Sequence, residues 1–196
     1  MNIRENTKNA GLKAIVREWL DALALAAVIL TVLFFFCWPF QVQGLSMSET
    51  LRDNDRIVVS RLSALTDSFS RGDLAVCRIL DSSREEIVVK RIVGLPGDHV
   101  FIEGGRLFLN GRLAEEPYLL QTVNAETGTA NIMETEGEVD ILLAHDEYFV
   151  MGDNRALSFD SRVVGPVNRQ AVVGRVFARW WPVENFAFYR SGHWDI

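Results

Sequence analysis

The amino-acid sequence predicts a β-dominated protein with one N-terminal transmembrane helix. Two observations carry this. An apolar run from 22 to 40 has Thr31 as its only polar side chain. Beyond it, short β-branched and aromatic segments alternate with turn residues, and no helix-length amphipathic segment interrupts them.

At 1.5 Å rise per residue the run 22–40 reaches roughly 28 Å, close to the hydrocarbon thickness of a bilayer. Backbone groups in lipid must be satisfied internally, so the run is expected to be helical, and Pro39 is expected to end it. A cleavable leader would have a shorter apolar stretch followed by small residues. This run instead ends Phe34-Phe35-Phe36-Cys37-Trp38-Pro39-Phe40. A buried core helix is the other alternative, but the run is uncharged and apolar on every face. Arg4, Lys8, Lys13 and Arg17 precede the span, whereas 41–60 carries only Arg52 and Arg56. The excess of basic residues on the N-terminal side predicts a cytoplasmic segment 1–21, a span 22–40 and an extracytoplasmic domain 41–196.

Within that domain the candidate strands are 56–60, 74–80, 87–93, 100–103, 107–110, 147–151 and 171–180. Gly104-Gly105 suits the tight turn of a hairpin over 100–109, and Asn110-Gly111 offers a second turn. The polar stretch 121–140 reads as a surface loop or insertion, so a small β lobe is expected within about 99–146. A short turn is placed at 155–162. Trp180, Trp181, Phe186 and Phe188 make the C-terminal segment aromatic, and two roles stay open for them: lying on lipid or filling the core.

Composition excludes several function classes. The net charge of −6 over 196 residues argues against a nucleic-acid partner. The two cysteines, Cys37 at the end of the apolar run and Cys77 in a strand, do not form a disulfide framework. His99, His145 and His193 are scattered, and neither HExxH nor paired CxxC is present, so no metal site is expected. No glycine-rich phosphate loop is present, and no organic cofactor is implied. What remains is hydroxyl chemistry without histidine, for which lysine is the alternative base.

Three segments make that specific: Gly44-Leu45-Ser46-Met47-Ser48-Glu49-Thr50-Leu51, then Lys90-Arg91-Ile92-Val93-Gly94-Leu95-Pro96-Gly97-Asp98, then Gly152-Asp153-Asn154-Arg155-Ala156-Leu157-Ser158-Phe159-Asp160-Ser161-Arg162. Each has an ordinary reading on its own. A serine in a Gly-x-Ser turn is usually a turn residue, a strand lysine usually faces solvent, and Asp160/Arg162 could be a surface pair. Taken together, in order and behind one anchor, they resemble the bacterial type I signal peptidase family of membrane-tethered Ser–Lys endopeptidases.

That resemblance implies Ser46 as nucleophile, Lys90 as general base, and Ser158 as the hydroxyl that orients the lysine. It further implies that Asp160 and Arg162 form a supporting ion pair, that Asp153 pairs with Arg91, and that Gly152 and Asn154 shape a turn. It implies a barrel-like catalytic domain of coiled antiparallel sheets and a substrate bound as an extended strand against 42–45 and 87–89. The substrate is a preprotein signal peptide with small residues at −1 and −3, and the shallow pockets are expected at Val42, Gly44, Met47 and Val88. The lipid bilayer is the other implied partner. Related alternatives are a Ser–Lys peptidase dedicated to one secreted or pilus substrate and an inactive membrane-tethered binding module. Two positions depart from the family pattern. Glu49 stands where proline is usual, and Gly44 stands where some members place a serine donor, leaving the Ser46 N–H more of the oxyanion work.

The residues around Lys90 suit a base. Only a neutral amine accepts a proton, and burial disfavours the ammonium form. Strand alternation places Lys90 on the face of Val88 and Ile92, with Val89 and Arg91 opposite.

Overall fold

The structure, a computed structural model, describes residues 3–81, 84–119, 121–123, 130–132, 135 and 137–190. The chain divides into two compact units, 1–37 and 38–196.

The first unit is helix α1 (Ile3–Phe36). Its side chains from 15 to 31 are exposed, including the apolar ones at Leu23, Leu25, Val28, Ile29 and Leu30. Among the described residues no helix is long and apolar enough to cross a membrane. Part of the expected span, the side chains of 32–35, lies outside the described residues. The end of the expected helix is corrected as well. α1 stops at Phe36, and Cys37–Gln41 form strand β1. Pro39 accounts for this, because proline disfavours helical backbone at the residue before it and itself fits an extended edge.

In the second unit β1 is followed by β2 (Arg56–Ser60), the short helix α2 (Leu62–Thr66), β3 (Leu74–Asp81) and β4 (Arg84–Gly94). Next come β5 (His99–Glu103), β6 (Arg106–Leu109), β7 (Arg112–Leu113), β8 (Gln121–Val123), β9 (Ala130–Ile132) and β10 (Val139–Leu142). The chain continues through β11 (Glu147–Met151), helix α3 (Ser161–Val164), β12 (Val167–Asn168), β13 (Val172–Trp181) and β14 (Ala187–Phe188). Each expected strand is present within a few residues. The expected loop 121–140 contains β8, β9 and the start of β10, while 124–129, 133, 134 and 136 lie outside the described residues.

The main sheet runs β1-β2-β13-β3-β4-β11-β12, with β14 added beside β13. It does not close into a barrel: β1 and the two-residue β12 are open edges, and closure would require them to pair. A second sheet, β10-β5-β6-β7, forms the small lobe, and β8-β9 is a separate ribbon. Gly104 (φ +56°) and Gly105 (φ +76°) make the β5–β6 turn, whose two central residues both need positive φ.

β4 positions the site. Its outer half, from Arg84, is exposed, but from Val89 onward it is buried on both faces. Val89 packs in a core with Val42, Met47, Leu51, Leu74 and Val76. Ile92 packs on the other side with Ala75, Cys77 and Val150, and the half-buried Val88 rests there too. Lys90 lies opposite Ala75 in the β3–β4 register, so a small neighbour leaves room for a long side chain. Val100, Ile102, Leu107 and Leu109 of the small lobe share a core with Leu143 and with Val93, Phe149 and Met151 of the main sheet.

The C-terminal aromatics do not fill a core. Phe177, Trp180, Trp181, Phe186 and Phe188 are exposed, with Phe188 in edge-on contact with Phe177 at 5.4 Å and Phe186 at 4.9 Å.

Candidate active site

Ser46 sits at the start of a tight coil. The N–H of Ser48 donates to Leu45 O (3.1 Å), and those of Thr50 and Leu51 donate to Met47 O (2.8 and 2.6 Å). Met47 and Leu51 anchor the coil from below, at 1% and 0% exposure, leaving Ser46 half-buried above the core. Gly44 opens the coil at φ +88°, its N–H donating to Asp53 Oδ1 at 2.9 Å. Among the described residues the Ser46 carbonyl is engaged, while its hydroxyl and N–H make no hydrogen bond.

Glu49 removes the rigidity that proline would give this coil. Thr50 supplies it by other means. Its hydroxyl donates to Asp153 Oδ2, it accepts from Arg91 Nη2 at 3.2 Å, and its carbonyl accepts from Arg179 Nη1 at 3.2 Å. Arg179 is itself paired with buried Asp55 at 3.0 Å. The segment 152–154 adds two bonds, from Asn154 N to Ser46 O (3.0 Å) and from Asn154 Nδ2 to Ser48 Oγ (3.0 Å).

Gly152 lets the parts converge. A Cβ built there would lie 2.2 Å from Ser158 Oγ and 2.5 Å from Ser46 O, far inside van der Waals contact. Ser158 and the coil that carries Ser46 therefore meet across a bare Cα.

Lys90 is 2% exposed, and its Nζ donates to Ser158 Oγ at 2.9 Å. Burial pulls the amine down to a pKa of about 8. Asp160 opposes that pull and Arg162 assists it, with a smaller upward contribution from Asp153. The Cys77 thiol is itself pushed up to about 12 by burial, so it stays protonated and neutral beside the lysine.

The supporting groups form two charged clamps. Arg162 Nε donates to Asp160 Oδ1 and Nη2 to Oδ2, both at 2.9 Å, while Gly152 N donates to Asp160 Oδ2 at 3.0 Å. Burial alone would raise the Asp160 carboxyl. The bonds from Arg162, Ser158 and Gly152 outweigh it and hold the pKa below 3.8, so Asp160 is ionised at working pH. Arg91 grips Asp153 with two prongs, Nε to Oδ1 at 2.8 Å and Nη2 to Oδ2 at 2.6 Å. Such planar two-pronged pairs fix orientation as well as charge.

Lys90 is bonded to Ser158, Arg162 to Asp160 and Arg91 to Asp153, and Asn154 ties that segment to the Ser46 carbonyl. The pocket candidates are divided. Val42 and Met47 are core residues in one cluster, whereas Val88 packs against the other. Sequence reasoning passed over Thr50, Arg155, Glu116 and Tyr118. Thr50 and Arg155 lie inside the quoted segments. The Glu116-Pro117-Tyr118 stretch carries only a turn signal. Among the described residues no group of acidic, cysteine or histidine side chains is arranged to hold a metal.

Residues 16–181 match the family described as signal peptidase, peptidase S26. A signal peptidase I U of Bacillus subtilis (strain 168) is 35% identical over 174 residues, covering 88% of this chain and 87% of that protein. A signal peptidase IB of Staphylococcus aureus (strain MRSA252) is 31% identical, covering 87% of this chain and 92% of that one. The crystal structure of a signal peptidase I from Enterococcus faecalis V583 aligns with TM-score 0.44 at 27% identity, covering 55% of this chain and 96% of that one.

Proposed function

Because this chain belongs to the signal peptidase family S26, whose activity is cleavage of signal peptides, we propose that it cleaves preproteins with Ser46 as nucleophile and Lys90 as general base. One observation carries the assignment: a lysine amine buried to 2% exposure, bonded to Ser158 Oγ, with its pKa drawn down to about 8. A structural lysine would gain nothing from such a site, whereas a base needs it.

The chemistry runs in two halves. Neutral Lys90 Nζ takes the proton from Ser46 Oγ as that oxygen attacks the scissile carbonyl carbon, and the negative charge collects on the carbonyl oxygen. The uncommitted Ser46 N–H is the donor closest to that charge. The Lys90 ammonium then gives its proton to the leaving amine, releasing the mature protein and leaving the signal peptide esterified to Ser46. Water, deprotonated by Lys90, attacks the ester, and the proton returns to Ser46 Oγ as the acid departs. Ser46 and Lys90 need to approach within hydrogen-bond reach only when substrate is bound. Ser158, held by the Asp160–Arg162 pair, orients the amine and does not itself react.

Specificity provides the test. A precursor with alanine at −1 is expected to be cut, and the same precursor with leucine or phenylalanine at −1 is expected to lose about a hundredfold in rate, since overfilling the pocket displaces the carbonyl from the nucleophile. Equal processing of both, measured by gel shift of the purified precursor, would refute the signal-peptide reading.

The proposal extends to location. α1 is read as a single anchor in the cytoplasmic membrane, with residues 1–21 inside and the catalytic unit outside, because basic residues cluster before the apolar run. The exposed aromatic group around Phe186 and Phe188 is read as the part that rests on lipid. Replacing both phenylalanines by glutamate is expected to slow cleavage of a vesicle-embedded precursor about tenfold, because charge at the interface opposes insertion. Cleavage of a short soluble peptide is expected to stay within twofold. Equal effects on the two substrates would remove the lipid role.

A further inference from the structure

Arg155 is a buried charged side chain that the mechanism leaves unused. It is fully enclosed and heads the largest buried side chains among the described residues. Its Nη2 donates to Glu116 Oε1 and its Nη1 to Glu116 Oε2, at 3.1 Å in the second case, and Nη1 also donates to Thr135 Oγ1. Both partners belong to the small lobe. Glu116 begins the turn that closes on Leu119, just past β7, and Thr135 N donates to Gly105 O in the β5–β6 turn at 3.0 Å.

Tyr118 lies between two arginines. The Arg91 guanidinium carbon is 4.0 Å from its ring centroid and that of Arg155 is 6.0 Å away. Its hydroxyl donates to Glu116 Oε1 at 2.7 Å and accepts from Arg155 Nη2 at 3.2 Å. The ring thus lies within cation–π range of both cations, while each cation keeps its own carboxylate: Asp153 for Arg91 and Glu116 for Arg155.

The catalytic segment hangs from these two arginines. Arg155 Nε donates to Gly152 O at 3.1 Å, and the Arg155 carbonyl accepts from Arg162 Nη2 at 2.7 Å. Arg91 holds Asp153, the next residue after Gly152. Gly152 is the position packed against both Ser158 and the Ser46 carbonyl. A shift of Arg155 or Arg91 therefore passes directly to the hydroxyl that holds Lys90.

We propose that Glu116 and Tyr118, carried on the turn that leaves the small lobe, are positioning residues that press segment 152–162 over Lys90 and keep its amine dry. The lobe is then a working part of the active site. The inference rests on the Ser46–Lys90 reading. Lys90 is depressed chiefly by burial, so loosening the segment admits water and lets its pKa climb back towards 10.5.

The test uses the full chain in detergent with a secretory precursor, comparing kcat, KM and the acidic limb of the pH–rate profile. Tyr118→Leu removes the ring, Glu116→Gln removes the charge, and Tyr118→Phe keeps the ring. In the first two, kcat is expected to fall about ten- to hundredfold with KM within about threefold. Their acidic limb is expected to move up by about half a pH unit or more, while Tyr118→Phe stays near wild type. A purely structural role would lower the melting temperature without moving the limb. An unmoved limb in Glu116→Gln, whether or not Tyr118→Leu folds, overturns the proposal. Failure of the wild type to cut the precursor would sink the Ser46–Lys90 reading first, and this inference with it.

Discussion

Lys90→Arg is expected to lower precursor cleavage by about a thousandfold or more, the range general acid–base catalysis supplies. Guanidinium carries the same charge and a similar length, but it does not deprotonate at working pH. The substitution therefore separates a base from a fixed cation. Lys90→Ala is expected to be as inactive, because the two described histidines, His99 and His145, sit beside the exposed carboxylates of Asp140 and Asp146. In the wild type the rate must follow the unprotonated amine. With a pKa of about 8, activity rises with pH, passes half its maximum near that value and falls tenfold for each unit below it. Had the amine kept a pKa near 10.4, only about one molecule in several hundred would hold it neutral at pH 8. Ser158→Ala is expected to be milder, since it removes one orienting bond and leaves the amine buried. Initial rates from pH 6 to 10 on wild type and variants decide the matter. An active Lys90→Arg enzyme would mean the proton acceptor lies elsewhere.

Ser46→Ala is expected to bring cleavage down to background, a loss on the order of a millionfold for a serine nucleophile. Folding stability should move by less than about 0.5 kcal/mol, because among the described residues the Ser46 hydroxyl makes no hydrogen bond and the coil is fixed by its neighbours. The contrast between lost turnover and an unchanged melting curve is the signature sought. Residual cleavage above a few per cent of wild type would remove Ser46 from the chemistry.

Much of this was legible in the amino-acid sequence, and the gaps have physical causes. β2, β3, β4, β11 and β13 follow from alternation between two buried faces. The β5–β6 hairpin follows from Gly104-Gly105. β1 was hidden because Cys37–Gln41 continues an apolar run, and a hydropathy pattern does not distinguish a helix end from an edge strand. β10 was hidden because Val139–Leu142 is short and follows a polar stretch. In the site, segments carrying Ser46, Lys90 and Ser158 were visible as local patterns, but the bonds joining them are not local. Thr50 meets Asp153 across 103 residues, and Arg155 meets Glu116 across 39. Pairings at that range depend on sheet order, which alternation does not encode. The barrel expectation failed for the same reason, since closure is a property of edges and not of any one strand.

The two glycines of the site are held by different constraints, and this bears on how such a chain can drift. Gly44 is fixed by its own backbone: φ is +88°, yet an added Cβ would meet no atom within 4 Å. A lineage that reshaped the turn into ordinary φ space could place any residue there, including one that carries a hydroxyl. Gly152 has no such escape. Its obstacle is Ser158 and the Ser46 carbonyl, two groups that the fold brings together there. Mutational search can rebuild the entrance of the site at position 44, while position 152 stays closed for as long as the two halves meet there.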